Sequence, residues 1–107
     1  MASHRTESRL DLVAADLRWL SPLDDATLID LAKALKRVVG VHEANLTGGF
    51  GAEIAARLAE RAFGELAAPV LRVATPDVRM PAAPELQAAL LPSRSTIGDA
   101  VRTLVKA

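Results

Sequence analysis

Residues 37–58 read RVVGVHEANLTGGFGAEIAARL and carry the main signal for the fold. A short β-branched run ends at His42 and Glu43, glycines follow, and an alanine-rich segment with helical spacing begins directly after them. β-branched residues favour strands, and glycine permits the sharp turn that joins a strand to a helix. The stretch therefore predicts a strand over 37–43, a glycine turn and a helix over 48–66.

The segments on either side continue this alternation. The predicted elements, in chain order, are a strand over 11–17, a helix over 24–37, the strand over 37–43, the helix over 48–66, a strand over 68–76, a short helix over 85–91 and a last helix ending near 105. Asp24 is the expected N-cap of the first helix, and Ser95 or Thr96 that of the last. Strands that alternate with helices predict a three-layer α/β/α domain with a largely parallel sheet covered on both faces.

Helical spacing also predicts which side chains are buried. The expected buried stripes are Leu28, Leu31, Ala32 and Leu35 in the first helix and Ala55, Leu58, Ala59, Ala62, Phe63 and Leu66 in the second. Glu53 and Arg57 are placed to form an i,i+4 ion pair on the solvent side of the second helix.

Composition limits the classes of function. The 107 residues carry a formal net charge of zero, with acidic and basic residues interspersed, so the sequence argues against nucleic acid and membrane partners. The absence of cysteine and of a targeting or membrane-spanning segment favours a cytoplasmic location. Residues 1–9 are polar and without periodicity, which predicts a disordered tail before a domain over 10–107.

The glycine turn could hold a phosphate, because a helix N-terminus presents free N–H groups. However, TGGFGAE has neither the lysine and hydroxyl of a P-loop nor the spacing of a dinucleotide site. We therefore interpret the segment as a structural turn or an interface, with no catalytic, cofactor-binding or metal-binding residue. The residues assigned to this turn or interface are His42, Glu43, Thr47, Gly48, Gly49, Phe50 and Gly51.

His42 and Glu43 do not form a credible catalytic dyad, since neighbours on a strand point to opposite faces. His42 is interpreted as a half-buried structural histidine. The case for a metal site is weaker still, because the other histidine of the chain, His4, lies in the predicted tail.

An ordered series of motifs matches a known family. They are DLR at 16–18, SPLD at 21–24, HEAxxTGGFGAEI at 42–54, APVxRV at 68–73, PDV at 76–78 and LPS at 91–93. In these motifs the chain resembles the C-terminal transketolase-like domain of the beta subunit of thiamine-diphosphate-dependent 2-oxoacid dehydrogenases. These oxidoreductases act on pyruvate or branched-chain 2-oxoacids, and the motifs leave the choice of substrate open.

The resemblance implies a domain without chemistry of its own. In the family, thiamine diphosphate and magnesium are held by an earlier domain of the beta chain and by the alpha subunit. We expect this chain to bind neither and to show no activity alone. The family's domain begins with an additional strand and helix, the strand lying centrally in the sheet. Residues 1–9 do not supply that strand, so 10–107 reads as a truncated domain.

Two functions follow from the resemblance and stay open. The first is subunit assembly and docking, with a dehydrogenase alpha subunit or a complementary beta fragment, the acyltransferase component and a second copy of the chain as expected partners. The second is a stand-alone, non-catalytic interaction module that has kept the fold. Whether the chain is a natural short protein or a fragment is not decided by the sequence.

Overall fold

Residues 2–5 and 11–106 are the ones that this computed structural model describes, and they form four strands and four α-helices. In chain order these are β1 (Ala2–Arg5), β2 (Asp11–Ala14), α1 (Asp25–Leu35), β3 (Val39–Asn45), α2 (Phe50–Arg61), β4 (Leu71–Thr75), α3 (Pro84–Leu90) and α4 (Arg94–Lys106). A 3₁₀ turn at Phe63–Glu65 follows α2. The order of elements from α1 onward is the predicted one.

β3 and β4 form a parallel pair, joined by α2 as the crossover. Val39 lies beside Leu71 and Val41 beside Val73, and the register shifts between Val41 and Asn45. Both α2 and α4 contact the two strands. The predicted α/β class with a parallel sheet is confirmed.

The predicted strand over 11–17 is wrong in length and in pairing. β2 ends at Ala14 and pairs antiparallel with β1, in a two-stranded sheet separate from β3 and β4. Alanine has a weak preference for strands, so the pair at 14–15 gives little reason for the strand to continue. β1 occupies part of the segment for which we predicted a disordered tail, while residues 1 and 6–9 of that segment lie outside the described residues.

The largest buried cluster lies between α1 and α2. Its members are Ile29, Ala32, Ile54, Leu58 and Ala62. Ile29 and Ile54 were missing from the predicted stripes, whereas Leu35 and Phe63 were predicted to be buried and are exposed. The stripe of each helix is therefore rotated relative to the prediction, because the contact between the two helices, rather than the sheet alone, determines which side is buried.

An ion-pair network also joins α1 and α2. Arg57 Nη1 lies 2.7 Å from Asp25 Oδ1, and Arg61 Nη1 lies 3.0 Å from Asp25 Oδ2. Hydrogen bonding to the Arg57 guanidinium holds the pKa of the Asp25 carboxyl below its ordinary value. The predicted pair of Glu53 and Arg57 is confirmed, with 2.7 Å between Oε2 and Nε.

The helix caps were predicted with mixed success. Asp24 is confirmed as the N-cap of α1, since its carboxylate accepts from the Thr27 N–H at 3.2 Å. For α4, the prediction of Ser95 or Thr96 was wrong. Ser93 Oγ accepts from the Thr96 N–H at 3.1 Å, while Thr96 Oγ1 accepts from the Ser93 N–H at 2.9 Å. This reciprocal arrangement starts the helix at Arg94.

Candidate functional site

The residues assigned to the turn or interface lie where β3 ends and α2 begins. β3 contains His42 and Glu43, and α2 begins at Phe50. His42 is half-buried and Glu43 is exposed, as expected for neighbours on a strand. Phe50 is half-buried and packs against the cluster between α1 and α2. The turn is thus fixed to the core through Phe50.

The imidazole of His42 lies against the glycines of the turn. A Cβ built on Gly51 would overlap His42 Nε2, whereas one built on Gly49 would overlap the Asn45 carbonyl oxygen first and come within 2.7 Å of His42 Cε1. Real Cβ atoms do not come so close to their neighbours, so no side chain fits at either position. Gly51 is therefore required because it admits the His42 ring, and Gly49 chiefly because the backbone at Asn45 passes close by.

The hydrogen bonding of His42 defines its tautomer. Nδ1 lies 3.1 Å from the Ala44 carbonyl oxygen, which only accepts, so Nδ1 carries the proton and donates. Nε2 is buried and has no hydrogen-bond partner among the described residues.

Gly48 has a different role. Its φ of +76° lies in the left-handed region, which costs a residue with a side chain free energy. Gly49 then adopts an extended conformation as the N-cap of α2. Gly48 and Gly49 thus lie where the chain turns from β3 into α2, and Gly51 makes room for the His42 ring.

Thr47 joins this turn to the loop that follows β4. Its N–H donates to Asp77 Oδ1 at 2.9 Å, and its hydroxyl donates to Asp77 Oδ2. These two bonds, the hydroxyl first, hold the pKa of the Asp77 carboxyl below its ordinary value. The bonds link two of the sequence motifs, HEAxxTGGFG and PDV.

Further polar contacts strengthen the same link. The Asn45 side-chain amide donates to the Pro76 carbonyl at 2.7 Å, and Thr75 Oγ1 donates to the Glu43 carbonyl at 2.5 Å. Arg72 Nη1 donates to the Leu46 carbonyl at 2.7 Å. Sequence reasoning did not assign Asn45, Thr75 or Asp77 to the site, although the PDV motif marked the position of Asp77.

The turn has none of the residues by which a P-loop holds a phosphate, since no lysine or hydroxyl follows its glycines. No group of three or more His, Cys, Asp or Glu among residues 2–5 and 11–106 is placed to hold a metal. Asn45, Thr47 and Asp77, with Val78 and Arg79, line a shallow depression on the surface.

Among the described helices, none is long and apolar enough to cross a membrane.

Named proteins from several organisms are similar in sequence to this chain. The chain is 38% identical over 95 residues to "Pyruvate dehydrogenase E1 component subunit beta" of Rhizobium meliloti, covering 89% of this chain and 21% of that protein. It is 40% identical over 90 residues to "2-oxoisovalerate dehydrogenase subunit beta 2, mitochondrial" of Arabidopsis thaliana, with coverages of 84% and 25%.

The chain is also 36% identical over 91 residues to "Acetoin:2,6-dichlorophenolindophenol oxidoreductase subunit beta" of Cupriavidus necator, with coverages of 85% and 27%. It thus spans between a fifth and just over a quarter of these relatives. The family described as transketolase, C-terminal domain, matches residues 4–97. Together with the parallel strands and their crossover helix, this match shows that the chain belongs to the transketolase C-terminal domain family, and that within it the chain is similar to beta subunits of 2-oxoacid dehydrogenases.

Proposed function

We propose that this domain serves subunit assembly and partner docking in a 2-oxoacid dehydrogenase, of the pyruvate or branched-chain type, and is not catalytic alone. The observation that carries the proposal is that the motif residues contact other parts of the same domain. The His42 ring lies against Gly49 and Gly51, and Thr47 is hydrogen-bonded to Asp77. Residues with such contacts stabilise the fold and are not free to take part in a reaction.

The proposed partners are a dehydrogenase alpha subunit or a complementary beta fragment, the acyltransferase component and a second copy of the chain. Thiamine diphosphate and magnesium belong to the assembled enzyme in this proposal, since the glycine turn lacks the lysine and hydroxyl of a phosphate-binding loop. No nucleic acid or membrane partner is proposed, and a cytoplasmic location stays a prediction from the sequence.

Affinity capture of the tagged chain from its native source tests the assembly role. We expect mass spectrometry to identify an alpha subunit or the acyltransferase component. The control is Gly51→Val, which places a side chain where the His42 ring lies and disturbs the fold. A protein that is captured by the parent chain but not by Gly51→Val binds the folded surface of the domain.

Recovery of neither protein by a folded parent chain would contradict the assembly role and favour the stand-alone interaction module. Titration calorimetry with thiamine diphosphate and magnesium tests the other half of the proposal. We expect no binding by the isolated chain, and a saturable isotherm would show that the domain holds the cofactor itself.

A further inference from the structure

Residues 76–91 connect β4 to α4, include α3 and lie on the surface of the domain; we call this segment the arm. None of its residues is buried and most are exposed, and α3 contributes no side chain to a core. Leu86 is 57% exposed and Val78 is 49% exposed. Burial of apolar surface therefore contributes little to holding the arm in place.

The arm is nevertheless ordered internally. The Gln87 side-chain amide donates to the Pro81 carbonyl at 2.9 Å and so joins the loop to α3. The Gln87 N–H donates to the Ala83 carbonyl and the Leu91 N–H to the Gln87 carbonyl, each at 3.0 Å. Prolines within the arm restrict its backbone further. These features favour movement of the arm as one piece.

Hydrogen bonds attach the arm to the rest of the described chain at one place, the end of β3. The Asn45 amide donates to the Pro76 carbonyl at 2.7 Å, and Thr47 donates through its N–H and its hydroxyl to the Asp77 carboxylate. The charge of Arg72, on β4, also attracts this carboxylate. Bonds to an ionised carboxylate are stronger than bonds to a carbonyl, so the contact between Thr47 and Asp77 is the main attachment.

We propose that the arm opens as a unit while β3, β4 and the cluster between α1 and α2 stay folded, with the two bonds from Thr47 to Asp77 as the latch that holds it closed. Segments with little buried apolar surface open at a lower free energy than the core. The PDV motif lies at the latch, and the LPS motif lies where the arm meets α4. The proposal concerns the motion of the chain itself and does not depend on the assembly role.

Residue-resolved amide hydrogen exchange of the full chain tests the opening. The Gln87 and Leu91 amides should have protection factors equal within about threefold, and at least about tenfold below that of the Ala62 amide, which donates to the Leu58 carbonyl in the core. Asp77→Ala removes the latch and should lower the protection of both arm amides at least about fivefold. Asp99→Ala is the matched control, because it removes an exposed carboxylate from α4; it should leave both amides within about twofold.

A substitution in the core separates opening of the arm from unfolding of the whole domain. Ile54→Val removes one carbon atom from the cluster between α1 and α2 and should lower the protection of the Ala62 amide about two- to tenfold. The Gln87 and Leu91 amides should stay within about twofold, because the core remains folded when the arm opens. Equal protection of arm and core amides in the parent chain, unchanged arm amides in Asp77→Ala, or a loss of arm protection in Ile54→Val would overturn the proposal.

Discussion

The imidazole of His42 determines which residues can follow it in the chain. Its ring lies over Gly49 and Gly51, and its Nδ1 proton bonds to the Ala44 carbonyl. A strand residue therefore imposes glycine on the first turn of a helix nine residues later. Gly48 is constrained separately, by its left-handed backbone.

Gly51→Ala should reduce the free energy of unfolding by about 1–3 kcal/mol, since the new Cβ overlaps the His42 ring. Urea denaturation followed by circular dichroism measures the change. Gly64→Ala is the control, because a Cβ there meets nothing within 4 Å; it should change stability by less than about 0.5 kcal/mol.

The cause is tested in a double-mutant cycle. In a His42→Ala background the overlap disappears, so Gly51→Ala should cost much less than in the parent chain. An equal cost in both backgrounds would show that the ring does not impose the glycine.

Asp77 should make stability depend on pH. Its folded-state pKa lies below the ordinary value of 3.8, so the folded chain holds the proton less tightly than the unfolded chain. The stabilisation is therefore present above 3.8 and lost as the pH falls through the lower folded-state pKa. We expect Asp77→Asn to be less stable than the parent at neutral pH, with the difference shrinking in acid.

Urea denaturation at a series of pH values measures this difference. Thr47→Val removes the hydroxyl donor and should reproduce part of the effect, and the double variant should lose less than the sum of the two. A difference between parent and Asp77→Asn that stays constant with pH would contradict the account.

Among the elements, those with strong local signals were predictable. Helical periodicity predicted α1, α2 and α4, β-branched runs predicted β3 and β4, and Asp24 marked the start of α1. The pairing of β2 was not predictable, because it depends on β1, whose residues carry no strand periodicity. In the site, the turn was predicted but the bonds from Thr47 to Asp77 were not, since they join positions 30 residues apart.

Ser93→Ala should shorten α4 and lower stability by about 1 kcal/mol, because it removes the hydroxyl that accepts from the Thr96 N–H. Ser95→Ala tests the capping position expected from the sequence and should have little effect, as Ser95 lies exposed inside the helix. Thermal melts followed by far-ultraviolet circular dichroism compare the two. A larger loss from Ser95→Ala would place the cap where the sequence predicted it.

For the whole molecule, stability depends on a small buried set. Seven hydrophobic residues of the described chain are buried, and Leu58 is the one with no exposed surface. Such a core leaves little reserve, because the total stability of a native domain is only about 5–15 kcal/mol. Truncation of one central side chain should therefore lower the stability of the whole domain.

Leu58→Ala should cost about 2–5 kcal/mol and remove most of the cooperative unfolding transition. Leu86→Ala deletes the same atoms from a side chain that is exposed on α3, and it should unfold like the parent. Urea denaturation of the three chains makes the comparison. A full cooperative transition in Leu58→Ala would show that the cluster between α1 and α2 does not hold the fold together.

The exposure of Trp19 determines what the intrinsic fluorescence of the protein can measure. It is the chain's sole tryptophan, there is no tyrosine, and 75% of its surface meets solvent in the folded state. We therefore expect its indole to emit as a hydrated fluorophore in the folded state, and unfolding should barely move the emission maximum. A partner protein that covers Trp19, which precedes α1, would instead shift the emission to shorter wavelength. The fluorescence of Trp19 should therefore report binding of a partner rather than unfolding.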